Sequence, residues 1–153
     1  MQSKTRRLYT WRGNLAIKKG ANIAMCGGIN ISRIFKVDPD DFFSGYPPSK
    51  RLFDTVYREV ESLGEMSIRV TKSQIAFRRK RNFAMVWLPG QYLRGKTAPL
   101  VLTIALRRRD TSPRWKEIVE PVPGRFTHHL ELHHTTDIDD EVRSWLREAW
   151  ELT

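Results

Sequence analysis

Apolar positions change their spacing partway along the chain, and that change sets out the elements. Leu52, Phe53, Val56, Val60 and Leu63 recur at intervals of three and four, which predicts an amphipathic helix from about Ser49. Gly64 stands where a left-handed cap would end it. Ahead of this helix, Asp38-Pro39 reads as an N-cap with proline at the first helical position, opening a short turn through Phe42 and Phe43 that stops at Gly45. From Ser67 the period falls to two. "SIRV", "QIAFR", "NFAMVWL" and "PLVLTIAL" are short β-branched and aromatic runs separated by polar, Gly or Pro breaks, and "THHLELHH" makes a fifth. A last helix, capped by Asp137, gathers Ile138, Val142, Trp145, Leu146 and Ala149 on one stripe. The order predicts an α+β fold: an antiparallel β-meander of about five strands with an N-terminal and a C-terminal helix packed on one face.

With 153 residues, 40% of them hydrophobic, five Trp and seven Phe, the chain has enough apolar volume for one domain. Cys26 is the only cysteine and no secretory signal is recognisable, so a reducing, cytoplasmic setting is expected. The long uncharged run "GANIAMCGGINIS" is broken by Asn and Gly and falls short of the roughly 20 apolar residues of a membrane helix. No membrane span is expected.

The formal charge of +10 is unevenly spread. Residues 1–36 hold eight Lys or Arg and no acid, which leaves 27 − 8 = 19 bases against 17 acids in residues 37–153, a net of +2. Two parts are therefore expected: a basic, poorly ordered extension over 1–36 and a single α+β domain over 37–153.

All four histidines fall between Thr127 and His134. Strand alternation puts His128 with Phe126, Leu130 and Leu132 on the core side, and His129 with Thr127, Glu131 and His133 on the other. The second set reads His-x-Glu-x-His, but a zinc site wants three or four ligands and no further Cys or His is available. No metal or other cofactor is expected. A second concentration of chemistry is "FRRKRNF", where Arg78, Arg79, Lys80 and Arg81 occupy the tip between two strands. Such a tip is either a solvated turn that discourages edge pairing or a phosphate-contacting loop. "RRRD", from Arg107 to Asp110, would add bases if the strands bring it near.

The motifs "DDFFSG", "RVTKSQIAFRRKRNFAMVWL", "SPRWKEIVE", "THHLEL" and "DIDDEVRSWLREAWE" occur in this order. Together they resemble a bacterial family known as domain of unknown function 5655, over roughly residues 37–150. The resemblance carries no established activity. It implies that Thr71-Lys72, Phe77, Ser112-Pro113-Arg114 and His128-His129 are characteristic positions, whereas His133 and His134 lie outside the pattern. It also implies a Cys-rich, zinc-ribbon-like segment ahead of "DDFF", of which this chain keeps only Trp11 and Cys26.

Lys72, Arg114, His128 and His129, with Arg78, Arg79, Lys80 and Arg81, are thus the candidate ligand-binding residues; His128 is the catalytic candidate. Lys and Arg supply donors for phosphate or carboxylate, and His can carry a proton near neutral pH. No nucleophile or paired carboxylates accompany them. The expected function is a non-catalytic binding module for an anionic ligand, with nucleic acid foremost. The alternatives are a small enzyme or small-ligand site centred on His128 with Lys72 and Arg114, and a protein-interaction module using exposed aromatics such as Trp115 and Trp150.

Overall fold

A computed structural model of the protein describes residues 38–153; the expectations for the basic segment 1–36 lie outside the described residues. Helix α1 (Pro39–Phe42) is one turn long. Asp38 caps it by accepting from the Asp40 amide at 2.9 Å, and Pro39 supplies the ready-made φ of the first helical position. The turn delivers two aromatic rings: Phe42 and Phe43 meet edge to face at 4.9 Å, and Phe43 lies 5.0 Å from Phe53 on the next helix.

Helix α2 (Pro47–Glu61) begins two residues before the expected Ser49, because Pro47 and Pro48 take the first turn, where a missing amide hydrogen costs nothing. The Ser49 hydroxyl donates to the Pro99 carbonyl at 2.6 Å and ties the start of α2 to the chain ahead of a central strand. Leu52, Phe53, Val56 and Val60 are buried along one stripe, each contributing on the order of 1.5–3 kcal/mol of apolar burial.

The sheet has six strands: β1 (Ser67–Val70), β2 (Ile75–Arg78), β3 (Asn82–Trp87), β4 (Leu100–Leu106), β5 (Glu117–Val122) and β6 (Arg125–Leu132). All adjacent pairs are antiparallel and the spatial order is β1-β2-β3-β4-β6-β5. Two expectations are corrected here. The strand count is six instead of five, and the simple meander holds only through β4. The missed strand is β5, whose residues "EIVEPV" are mostly exposed and include Pro121; an edge strand needs no alternating apolar face and tolerates a proline that a central strand would reject. Because β5 lies outside β6, it runs in the same direction as β4. Residues 107–116 must therefore travel back past β6 to start it.

Helix α3 (Asp140–Glu151) is capped by Asp139, which accepts from the Val142 amide at 3.2 Å. Asp137 does not cap it, contrary to the spacing argument: it closes a 3-10 turn over Thr135–Asp137 and accepts from the His133 and His134 amides at 2.9 and 2.8 Å. Two acids two residues apart were equivalent by sequence; the turn takes the first and the helix the second.

The register fixes the core. Ile75, Phe77, Ala84, Val86, Leu102, Ile104, His128 and Leu130 fall on one face of the sheet. The apolar ones form a single cluster with Phe53, Val56 and Val60 of α2 and Val142, Trp145, Leu146 and Ala149 of α3.

Candidate functional site

Two groupings of polar side chains stand out, and they differ in kind. The first surrounds His128. Its ring is fully buried, opposite Ile104 on β4 and Ile118 on β5. Nε2 accepts a 3.0 Å hydrogen bond from the Asp110 amide, in the segment that crosses back to β5. Accepting at Nε2 puts the neutral ring's proton on Nδ1, which has no hydrogen-bond partner. Burial pushes the His128 pKa below its ordinary value of 6.5, against the opposing pull of the Ile104 and Phe126 backbone and the Asp110 charge.

Asp110 is the hub of this segment. Its carboxylate accepts from the Trp115 indole at 2.7 Å, from the Ser112 amide at 3.1 Å and from Arg108. Burial alone would raise its pKa; the bonds from Trp115, Arg108 and Ser112 outweigh it and hold the carboxyl below its usual range. The Trp115 ring then lies between His128 at 4.9 Å and Trp145 of α3 at 4.0 Å. Trp115 is buried and is not the exposed contact residue expected of it. Arg114 closes the layer: one nitrogen meets Asp139 and Glu141 at 2.9 Å and another donates to the Asp137 carbonyl at 2.7 Å. Arg108 forms two bonds to Glu148 at 2.9 and 2.8 Å.

His129 sits on the other sheet face. Its Nδ1 shares a 2.8 Å hydrogen bond with the Thr103 hydroxyl, and burial with the neighbouring His128 lowers its pKa. Glu117, directly opposite it in register, is raised by burial. His133 lies beyond the end of β6 and is exposed. Among the described residues no group of three or more His, Cys, Asp or Glu is placed to hold a metal ion.

Lys72 is exposed in the β1–β2 turn. Three strand positions separate β2 from β6, a distance of roughly 14 Å at the usual strand spacing. Lys72, Arg114 and His128 are therefore not brought together.

The second grouping is at the end of the sheet where β2 turns into β3. A register shift between Phe77 and Arg78 sets Arg78 opposite Asn82, and Arg79, Lys80 and Arg81 form the exposed turn between them, closed by the Arg79 amide on the Arg81 carbonyl at 3.2 Å. The end of β4 and the β5–β6 hairpin reach the same end, since Leu106 pairs with Phe126 and Val122 with Arg125. Arg81, Arg107 and Arg125 consequently line one shallow depression of about 180 Å³, floored by Phe83, Leu106 and Ala149. Arg107 of the "RRRD" run is thus near the tip, whereas Arg108 has turned to Glu148. Lys50, Arg108, Arg114, Lys116 and Arg143 all meet carboxylates, while Arg79, Lys80, Arg81, Arg107 and Arg125 have none within 4.0 Å among the described residues, as is also true of bases elsewhere such as Lys72, Arg94 and Lys96; what sets the five apart is that they gather at one end of the sheet.

On the other side of the turn, Arg78, Arg79 and Lys80 border an open depression of about 510 Å³ with Gly64, Glu65, Met66, Ser67 and Trp150. The Arg79 guanidinium lies over the Trp150 ring, 4.1 Å from its centre. Gly64 has φ +138°, and a Cβ there would come within 3.0 Å of the indole; glycine at the end of α2 is what lets the ring approach. Arg125 and Gly64 carry no sequence signal for this role, being a lone base in a hairpin and a helix-ending glycine.

The architecture is that of an α+β domain with an antiparallel six-stranded sheet. The family model described as "Domain of unknown function (DUF5655)" matches residues 39–153, and the chain belongs to that family. No curated protein and no solved structure matches the chain significantly. No helix among the described residues is long and apolar enough to cross a membrane.

Proposed function

We propose that this domain binds nucleic acid through its phosphate backbone, without catalysis, at the end of the sheet formed by the β2–β3 turn, Arg107 and Arg125. The observation that carries the reading is the gathering of bases at one end. Cations held by carboxylates stabilise the fold and have little attraction left for a ligand, whereas Arg79, Lys80, Arg81, Arg107 and Arg125 come together at one end of the sheet and none of them forms an ion pair among the described residues. Guanidinium groups offer paired donors that match phosphate oxygens, and several on one surface displace condensed counterions when phosphates dock. No helix is offered for base reading in a groove, so contacts of this kind position a strand and carry little sequence preference.

The test is the salt dependence of binding to a duplex of mixed sequence, followed by fluorescence anisotropy with the full chain. Each neutralised phosphate contributes about 0.9 to the log–log slope. Replacing Arg79, Lys80 and Arg81 together with Ser is expected to lower that slope by about 2 to 3. A slope unchanged by the triple replacement, or no binding at low salt, rejects the reading.

A further inference from the structure

We infer that the depression beside Trp150 is a seat for one unstacked nucleotide, so that the interface proposed above takes single strands in preference to duplexes. The inference rests on that reading of the basic end and adds to it a stacking site that phosphate contacts alone would not need.

Three features of the depression point to a planar, anionic ligand. Trp150 presents an indole whose placement depends on Gly64, and the Arg79 guanidinium already lies over it, 4.1 Å from the ring centre. Trp150 is half-buried against the core; a cation on such a ring is held more weakly than a stacked base, so a base can take the place of Arg79 and free that guanidinium for the adjoining phosphate. Next, Arg78 Nε and Trp150 Nε1 both belong to residues bordering the depression, both are buried, and neither has a hydrogen-bond partner among the described residues. Two unpaired buried donors are costly in the free protein and would be satisfied by carbonyl or phosphate oxygens of a ligand. Last, the volume of about 510 Å³ lies within the range of small-ligand clefts.

Charge orients the occupant. Arg78, Arg79 and Lys80 are the bases of the lining; Glu65, the only acid among its described residues, belongs to the segment 64–67 that leads into β1. Phosphate is directed to the turn and the base to the indole. The strand then continues over the turn toward Arg81, Arg107 and Arg125, which border the neighbouring depression. A duplex cannot use the seat without unpairing a base, which is the source of the preference.

The experiment compares a twelve-nucleotide oligothymidine with a twelve-pair duplex, using the full chain and its Trp150→Leu and Trp150→Phe variants. Stacking of one base is lost with Leu and largely kept with Phe. The expected result is that Trp150→Leu weakens oligothymidine binding roughly tenfold, that Trp150→Phe restores most of it, and that duplex affinity and its salt slope do not move. As a second readout, protein labelled with 5-fluorotryptophan should show the ¹⁹F resonance that is missing in Trp150→Phe shifting on titration with oligothymidine. If both strand forms bind with a salt slope that depends on the turn, but Trp150→Leu and the resonance are indifferent to oligothymidine, the seat is rejected while the phosphate interface stands. Parallel loss of duplex binding in Trp150→Leu also rejects it, since the ring would then be acting on the interface as a whole. If neither form binds at low salt, the underlying reading has failed and the seat with it.

Discussion

His128 shows how one side chain can be characteristic of a fold without meeting a ligand. A neutral imidazole at this position offers an acceptor at Nε2 that a hydrocarbon cannot, and the Asp110 amide uses it. Protonation would remove the acceptor and place a charge among buried apolar groups. The sign of the pH effect follows. Folding lowers the His128 pKa below 6.5, so at pH values just under 6.5 the unfolded chain takes up the proton first and stability is lost as pH falls; above 6.5 the contribution is fully present. His129 is shifted the same way and adds to the slope. Thermal unfolding should therefore show a clear fall in melting temperature from pH 7.5 to 5.5. In His128→Leu that fall should shrink without vanishing, and stability at pH 7.5 should drop by about 1–3 kcal/mol because the Asp110 amide is left unpaired. A His128→Leu protein with the wild-type pH slope would show that the ring is not the titrating group.

Among the elements, the return crossing over residues 107–116 is the one that local pattern does not describe. It has neither helical nor alternating periodicity; its order comes from Asp110, whose carboxylate gathers the Trp115 indole, the Ser112 amide and Arg108 while its own amide reaches His128. Asp110→Ala is expected to cost about 2–3 kcal/mol in urea denaturation, since a buried indole N–H and an amide both lose their acceptor. Amide exchange should rise across 107–116 before it rises in the β2–β3 pairs. An unchanged urea midpoint would remove Asp110 from that role. The same contrast explains what the sequence made legible. The stripes of α2 and α3, four strands with alternating or β-branched runs, and the core-side placement of His128 all follow from periods of 3.6 and 2, which burial on one face imposes. Strand β5 was hidden because an exposed edge imposes no such period, and the helix starts shifted because Pro47 and Pro48 fit the first turn of α2 and because Asp139, not Asp137, caps α3. The site is a three-dimensional matter throughout. The run Arg78, Arg79, Lys80 and Arg81 was visible, but the partners of the turn, Arg107, Arg125 and Trp150, meet it only through strand register and the docking of α3. Arg114 looked like a ligand group until Asp139 and Glu141 appeared beside it.

For the domain as a whole, position of charge matters more than its sum. Residues 37–153 carry only +2, from 19 bases and 17 acids, too little for net charge to explain binding. Yet the two ends of the sheet differ. The β2–β3 turn, the β4 exit and the β5–β6 hairpin bring Arg79, Lys80, Arg81, Arg107 and Arg125 to one end, with Glu120 the acid of the hairpin; the β1–β2 turn and the β3–β4 connection, with Lys72, Arg94 and Lys96, lie at the other. At physiological salt the Debye length is about 8 Å, shorter than β3 or β4, so a phosphate strand at one end is largely screened from bases at the other. Two variants with equal charge loss therefore separate position from sum. Arg79, Lys80 and Arg81 replaced together with Ser, and Lys72, Arg94 and Lys96 replaced together with Ser, each remove three positive charges from exposed positions. In anisotropy titrations at about 0.15 M salt, the first should weaken duplex binding by at least tenfold and the second by less than twofold. Because all six side chains are exposed, both proteins should unfold within about 0.5 kcal/mol of the parent, which keeps the comparison free of folding effects. Equal losses from both triples would mean that the domain attracts nucleic acid as a diffuse cation, and the sheet end would then have no claim to be the interface.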